Sequence, residues 1–257
     1  MKMLILSDVH GNWPALRAVL EAESDANRIL CLGDLVNFGP QPAECVAWAK
    51  ELVPPAWVIQ GNHDRAVAFN EDPLCSSVFA GLAAATQPVG ERMLAPELKE
   101  FLAELQPSHR CDWKGAKCFA CHAIPSEPLY GYLPETASAT LWDAELAVAG
   151  LPDFLFLGHT HLPMKTRLMK TLIVNPGSVG LPLHGDPQAA YAMWEDGEVT
   201  LRHAAYDVEE TIRAYDGLGI APQVLRLLTE MLRTGKQPSP EHSGNVVKKP
   251  AVKGSEP

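Results

Sequence analysis

Five short stretches of this chain place metal donors beside tight turns: Asp8-Val9-His10, Gly33-Asp34, Gly61-Asn62-His63-Asp64, the single His122, and Gly158-His159-Thr160-His161. In extended backbone, residues two apart project to the same side, so Asp8 with His10, and His159 with His161, can each grip one cation. The donors are imidazoles, carboxylates and one amide, with no thiolate. That set suits Mn, Fe, Co, Ni or Zn better than a soft-metal site or an all-oxygen calcium site. Taken singly, each stretch has an ordinary explanation. Asp34 could be a helix cap, residues 61–64 a turn rich in Gly and Asn, and His122 a hydrogen-bonded structural residue. The His159/His161 pair is the strongest single piece.

Position joins the five. Each follows an apolar run of strand length: Met3–Leu6, Arg28–Leu32, Trp57–Gln60, Lys117–Cys121 and Phe154–Leu157. Ligands of open α/β sheets bind at the carboxyl ends of the strands, so five donor groups at five strand ends describe one site. Helical patterns over Trp13–Ala22, with Pro14 suited to a helix start, and over Pro42–Leu52 separate the first three runs. This β-α-β-α-β opening implies a parallel sheet with right-handed crossovers. Residues 65–106 show no clear strand and read as helices broken near Pro73, Pro88 and Pro96, beside or over the site. Later runs at Leu172–Val174, Ala190–Trp194 and Glu198–His203 have short connections such as Glu195-Asp196-Gly197-Glu198 and read as antiparallel hairpins. Helices are expected over Asp207–Tyr215 and Pro222–Leu232. One domain over residues 1–234 and a disordered polar tail over 235–257 complete the layout.

Bulk properties narrow the function. A chain of 257 residues, 47% hydrophobic, can build one substantial core. Its formal charge of -10 disfavours nucleic-acid polymers and anionic membranes as partners, while leaving room for a small phosphorylated substrate drawn by bound metals. No apolar run approaches the roughly 20 residues of a membrane span, and the opening residues lack the pattern of an export signal, so a cytoplasmic location is expected. The six cysteines then read as reduced. Cys118-Phe119-Ala120-Cys121-His122 matches the c-type haem attachment pattern, but strand residues three apart point to opposite faces, and haem is set aside.

The order of the motifs over residues 3 to 205 resembles the calcineurin-like metallophosphoesterase superfamily. Ser7-Asp8-Val9-His10-Gly11-Asn12, Gly33-Asp34-Leu35-Val36 and Asn175-Pro176-Gly177-Ser178-Val179-Gly180 are similar to its small bacterial phosphodiesterases. The resemblance implies a four-layer α/β/β/α sandwich of two mixed sheets flanked by helices, with two divalent metal ions side by side. Asp8, His10 and His161 would hold the first ion, Asn62, His122 and His159 the second, and Asp34 would bridge them. His63 would face the substrate and donate a proton or hydrogen bond, while Asp64 would either orient His63 or face solvent. Manganese is the first choice of metal, with Fe, Zn, Ni and Co open.

The expected reaction is hydrolysis of a small phosphodiester by in-line attack of a metal-bridging hydroxide. A phosphomonoesterase acting on phosphoproteins or nucleotides through the same site is the alternative within that chemistry. A non-catalytic scaffold of the same fold is the alternative outside it. Two departures stand out. Ala123 follows His122 where relatives usually have Gly, and Leu181-Pro182-Leu183 stands where they often carry Gln-Pro-Arg, which removes a positive charge and favours diesters over monoesters. His184 could replace part of that charge, although a surface-loop histidine is the favoured reading, whereas His109, His203 and His242 have no partner in any motif.

Overall fold

The computed structural model describes residues 1–52 and 56–237. Most of the expected tail, from 238 onward, lies outside the described residues. In chain order the elements are β1 (Lys2–Leu6), α1 (Trp13–Ala22), β2 (Arg28–Cys31), α2 (Pro42–Glu51), β3 (Ala56–Val58), α3 (Asn62–Phe69), α4 (Ser77–Met93) and α5 (Pro96–Glu104). There follow β4 (Ser108–Trp113), β5 (Ala116–Cys121), α6 (Ala139–Ala149), β6 (Phe154–Phe156), β7 (Met164–Leu168) and β8 (Thr171–Asn175). The chain closes with β9 (Ala189–Glu195), β10 (Glu198–Ala204), α7 (Val208–Arg213) and α8 (Pro222–Thr234).

Two five-stranded sheets result, ordered β10-β9-β1-β2-β3 and β4-β5-β6-β8-β7. In the first, β1, β2 and β3 run parallel and β9 and β10 antiparallel. In the second, β5, β6 and β8 are parallel, with β4 and β7 as antiparallel edges. Side-chain alternation decides the layering. Met3 and Ile5 of β1 pack between the sheets with Phe156 and Val174, while Leu4 and Leu6 face the helix layer formed by α1 and α2. Phe119 and Leu155 of the second sheet pack outward against Trp142 and Leu146 of α6. The molecule is therefore a four-layer α/β/β/α sandwich. Each fully buried aliphatic side chain in these layers contributes about 1.5–3 kcal/mol relative to exposure. Cys118 faces the inter-sheet core and Cys121 the α6 layer, so the two thiols of the haem-like motif point to opposite faces.

Two expectations change. β4 and β7 are strands that the apolar pattern does not announce. The break expected at Pro88 is absent, because α4 runs through it. Pro88 and Ala84, one turn earlier, both lie on the exposed side of α4, so the carbonyl that loses its N–H partner can be hydrated. Among the described residues, no helix is long and apolar enough to cross a membrane.

Candidate active site

Parallel pairing of β1 with β2, and of β2 with β3, brings three strand ends to one edge, and β5 with β6 brings two more from the facing sheet. Backbone hydrogen bonds fix the loops that follow. Asp8 N donates to Gly33 O (3.0 Å), His10 N to Asp34 O (2.8 Å), Gly158 N to His122 O (2.8 Å) and Gly180 N to Asp8 O (3.0 Å). Ser178 Oγ donates to the same Asp8 carbonyl at 2.7 Å, and Asn175 Nδ2 donates to Gly158 O at 2.6 Å. The Asn175–Gly180 stretch is thus a clamp on the ligand loops. Asp8, His10, Asp34, His159 and His161 all adopt left-handed backbone, with φ between 47° and 65°, a region few non-glycine residues occupy. At Gly61 a Cβ would collide with Asp34 Oδ1, so only glycine lets the two loops approach this closely.

The imidazole tautomers follow from the hydrogen bonds. Nδ1 of His10 lies 3.0 Å from Val36 O, Nδ1 of His161 2.7 Å from Leu181 O, and Nδ1 of His122 2.7 Å from Leu32 O. A carbonyl only accepts, so each Nδ1 carries a hydrogen and, in the neutral ring, each Nε2 presents a lone pair. Nε2 of His10 and His161 face each other at 3.1 Å. Oδ1 of Asp8 lies 3.9 and 3.4 Å from them and is buried with no hydrogen-bond partner. Three acceptors converge without a donor, an arrangement that a cation resolves.

A second convergence lies alongside. Asn62 Nδ2 is committed to Pro73 O at 2.7 Å, which turns Oδ1 toward His122 Nε2 at 3.0 Å. Asp34 Oδ2 is 3.2 Å from the same nitrogen and 3.7 Å from His10 Nε2, between the two groups. The His159 ring centroid is 5.1 Å from that of His122. Two groups of donor atoms could each hold a metal ion, Asp8 with His10 and His161, and Asp8 with Asp34 and His122; Asn62 Oδ1 adjoins the second, and His159 belongs to neither.

Electrostatics agree. Burial pushes the Asp8 carboxyl above its usual range and pulls His10 and His159 below theirs, His159 to about 3. Burial also opposes ionisation of Asp34 and protonation of His122. Their mutual attraction wins, holding Asp34 well below the carboxylate range and raising His122 to about 9.

His63 is oriented by a residue that the motif reading did not include. Asn37 Oδ1 accepts from Thr86 Oγ1 (2.6 Å), which leaves Asn37 Nδ2 to donate to His63 Nδ1 at 2.9 Å. The His63 hydrogen therefore sits on Nε2, on a ring that lines the cavity over the metal centre. Burial lowers its pKa to about 4. Asp64 takes neither of the roles expected for it. It is fully buried, with Oδ2 accepting from Asp34 N (2.8 Å) and Gly61 N (3.0 Å) and Oδ1 from Leu35 N (2.8 Å). It ties the Asp34 loop to the start of α3. His184 does not restore charge to the cavity wall either, because its ring stacks on His203 at 4.9 Å. His109 stacks on Trp57 at 5.4 Å, and His242 lies outside the described residues.

A buried acceptor cluster at the strand ends of an α/β/β/α sandwich defines a metallophosphoesterase. The chain belongs to the calcineurin-like phosphoesterase superfamily, whose domain model matches residues 1–197. It is a phosphoric ester hydrolase of that family. It is 28% identical over 206 residues to Phosphodiesterase YfcE of Escherichia coli, covering 76% of this chain and 88% of that one. It is 29% identical over 154 residues to a symmetrical bis(5'-nucleosyl)-tetraphosphatase of Methylococcus capsulatus, covering 58% and 51%. A metallophosphoesterase structure from Sphaerobacter thermophilus superposes with a TM-score of 0.75 at 28% identity, over 91% of this chain and 99% of that one.

Proposed function

We propose that the protein hydrolyses a small phosphodiester with two divalent ions, manganese first among them, held by Asp8, His10 and His161 and by Asn62, His122 and His159, with Asp34 shared. The observation that carries this reading is the convergence of Asp8 Oδ1 with Nε2 of His10 and His161, buried acceptors with no donor among them; Asp34 Oδ2 and Asn62 Oδ1 beside His122 Nε2 support the second position. Two ions at such a site supply a nucleophile active at neutral pH and neutralise charge on the phosphoryl oxygens.

The chain's own groups do the rest. Protonating Nδ1 of His63 would set it against the Asn37 amide hydrogens, so His63 acts as a neutral donor, giving a hydrogen bond from Nε2 to a phosphoryl or leaving-group oxygen. Asn37, held by Thr86, keeps that tautomer. Asp64 holds the Asp34 loop. The cavity wall contains Leu183 and, among the described residues, no Lys or Arg. This favours a diester, with one negative charge, over a monoester, with nearly two. The six cysteines are unpaired, which fits a reducing compartment and supports a cytoplasmic location.

Initial rates test the reading. Protein stripped of metal and refilled with Mn, Fe(II), Co, Ni or Zn is assayed on bis-p-nitrophenyl phosphate and p-nitrophenyl phosphate. Faster diester turnover, highest with Mn, is expected. Faster monoester turnover would replace the diesterase with a phosphatase, and no turnover with any metal would sink both.

A further inference from the structure

We propose that the cavity beside the metal centre is a pocket for a planar aromatic ring, so that the substrate diester carries an aryl or nucleobase group on one side of its phosphate. The inference rests on the phosphodiesterase reading and adds the chemistry of the group next to the phosphate.

The cavity encloses about 340 Å³, at the lower end of the range for small-molecule sites, enough for one ring system beside a phosphate rather than a long chain. Its floor is the site already described, including Asp34, His63, His159 and His161. Its walls are aromatic and come from three separate segments: Phe38 after β2, Phe79 on α4, and Tyr130 and Tyr132 on the loop after β5. The rings are continuous with the metal ligands. Phe79 lies 6.1 Å from Phe38 and 6.4 Å from His161, and Phe38 lies 4.8 Å from His63, all tilted or edge-on. A ring anchored by its phosphate at the metals would extend this series in offset or edge-to-face contact.

The rim points the same way. Tyr132 is 62% exposed, Leu74 64% and Leu162 41%, so three large apolar side chains stand in solvent around one opening. Such a concentration marks a binding surface. Charge excludes other tails. Arg65 reaches Tyr130, but its guanidinium is bound to Glu71 at 3.0 and 3.3 Å. A polyphosphate tail finds no free cation among the described residues of the wall, and an alkyl polyol would leave the aromatic faces unmatched. Ser76, Thr160 and Gln237 can read the polar edge of a base.

The test uses manganese-loaded protein and calorimetry with two pairs of probes: phenylphosphonate against methylphosphonate, whose P–C bonds are not hydrolysed, and adenosine 5′-monophosphate against ribose 5-phosphate, compared at a temperature where no phosphate is released. Members of a pair share the anchoring group and differ in the ring. Stacking on aromatic side chains predicts about tenfold tighter binding of the ringed member in at least one pair. A gain in both pairs means any planar ring is accepted, and a gain only for the nucleotide narrows the group to a nucleobase. Phe79→Ala and Tyr132→Ala should each remove most of that ratio while leaving metal content and methylphosphonate affinity unchanged. Tyr132 stands outside the core, so its truncation leaves a folded protein even if Phe79→Ala does not. Equal affinities within both pairs would overturn the pocket proposal, and a protein that still turned over diesters would keep the diesterase reading. Ring discrimination without diester turnover would do the reverse.

Discussion

Replacing Asp64 by Asn separates a loop-holding role from a catalytic one. The carboxylate accepts three backbone N–H bonds, two on Oδ2 and one on Oδ1. Asn can present one oxygen to the amides of Asp34 and Gly61, but its NH2 then faces the amide of Leu35, donor against donor. A lost bond to a charged acceptor is worth about 1.5–3 kcal/mol, and the two retained bonds weaken because the acceptor is now neutral. Relief of the carboxylate's burial cost and of the repulsion from Asp34 offsets much of this at pH 8, leaving a net loss of about 1 kcal/mol. For a domain of this size that lowers Tm by about 2–4 °C. The assay is thermal unfolding in chelator, so that metal affinity does not enter, at pH 8, above the value of about 7 to which burial and Asp34 push Asp64. With saturating manganese at 25 °C the variant should keep kcat within about threefold, since loops and ligands are still assembled at that temperature. An unchanged Tm with a hundredfold drop in kcat would refute the assignment and return Asp64 to the reaction.

Asp34→Asn should lower the content of both metals together, because Oδ2 sits between the two acceptor groups; elemental analysis showing two ions retained would remove it from the bridging position. His63→Ala should keep both metals and lower kcat about 10²–10³-fold, the loss typical of a removed oxyanion donor. The loss should be largest for poor leaving groups. Asn37→Leu should reproduce part of that loss without touching metal content. Leu183→Arg should shift the ratio of monoester to diester turnover toward the monoester, and an unchanged ratio would show that this wall does not sort substrates by charge.

Much of the site was legible because its donors follow apolar runs. Where the sequence puts Asp8, Asp34, Asn62, His122 and His159 after a strand, parallel pairing brings them to one edge. What was not legible depends on partners far apart in the chain. The carboxylate of Asp64 could be assigned only once its oxygens were seen against the amides of residues 34, 35 and 61. Asn37 and Thr86, separated by 49 positions, become meaningful only together; the Asn37-Phe38-Gly39 turn after the Asp34 motif was the one available signal. β4 and β7 escaped notice because both are sheet edges. Ser-His-Arg-Cys-Asp-Trp and Met-Lys-Thr-Arg-Leu carry charges that keep edges from pairing further, and those charges hide the apolar alternation. Pro88 misled because a freed carbonyl on the exposed side of a helix can bind water, which lowers the cost of proline there.

The left-handed backbone at Asp8, His10, Asp34, His159 and His161 has a consequence for stability. Each such residue costs about 1–2 kcal/mol relative to ordinary backbone, so five together withhold about 5–10 kcal/mol from a fold whose net margin is typically about 5–15 kcal/mol. The two sheets must therefore be more stable than folding alone requires, and the surplus is held in the loops as conformational energy. Replacing a ligand such as His161 by glycine relieves that strain but gives up the Nδ1 bond to Leu181 O and adds unfolded-state entropy. The metal-free protein therefore gains little while the site loses its grip, so the strain stays where the ligands are.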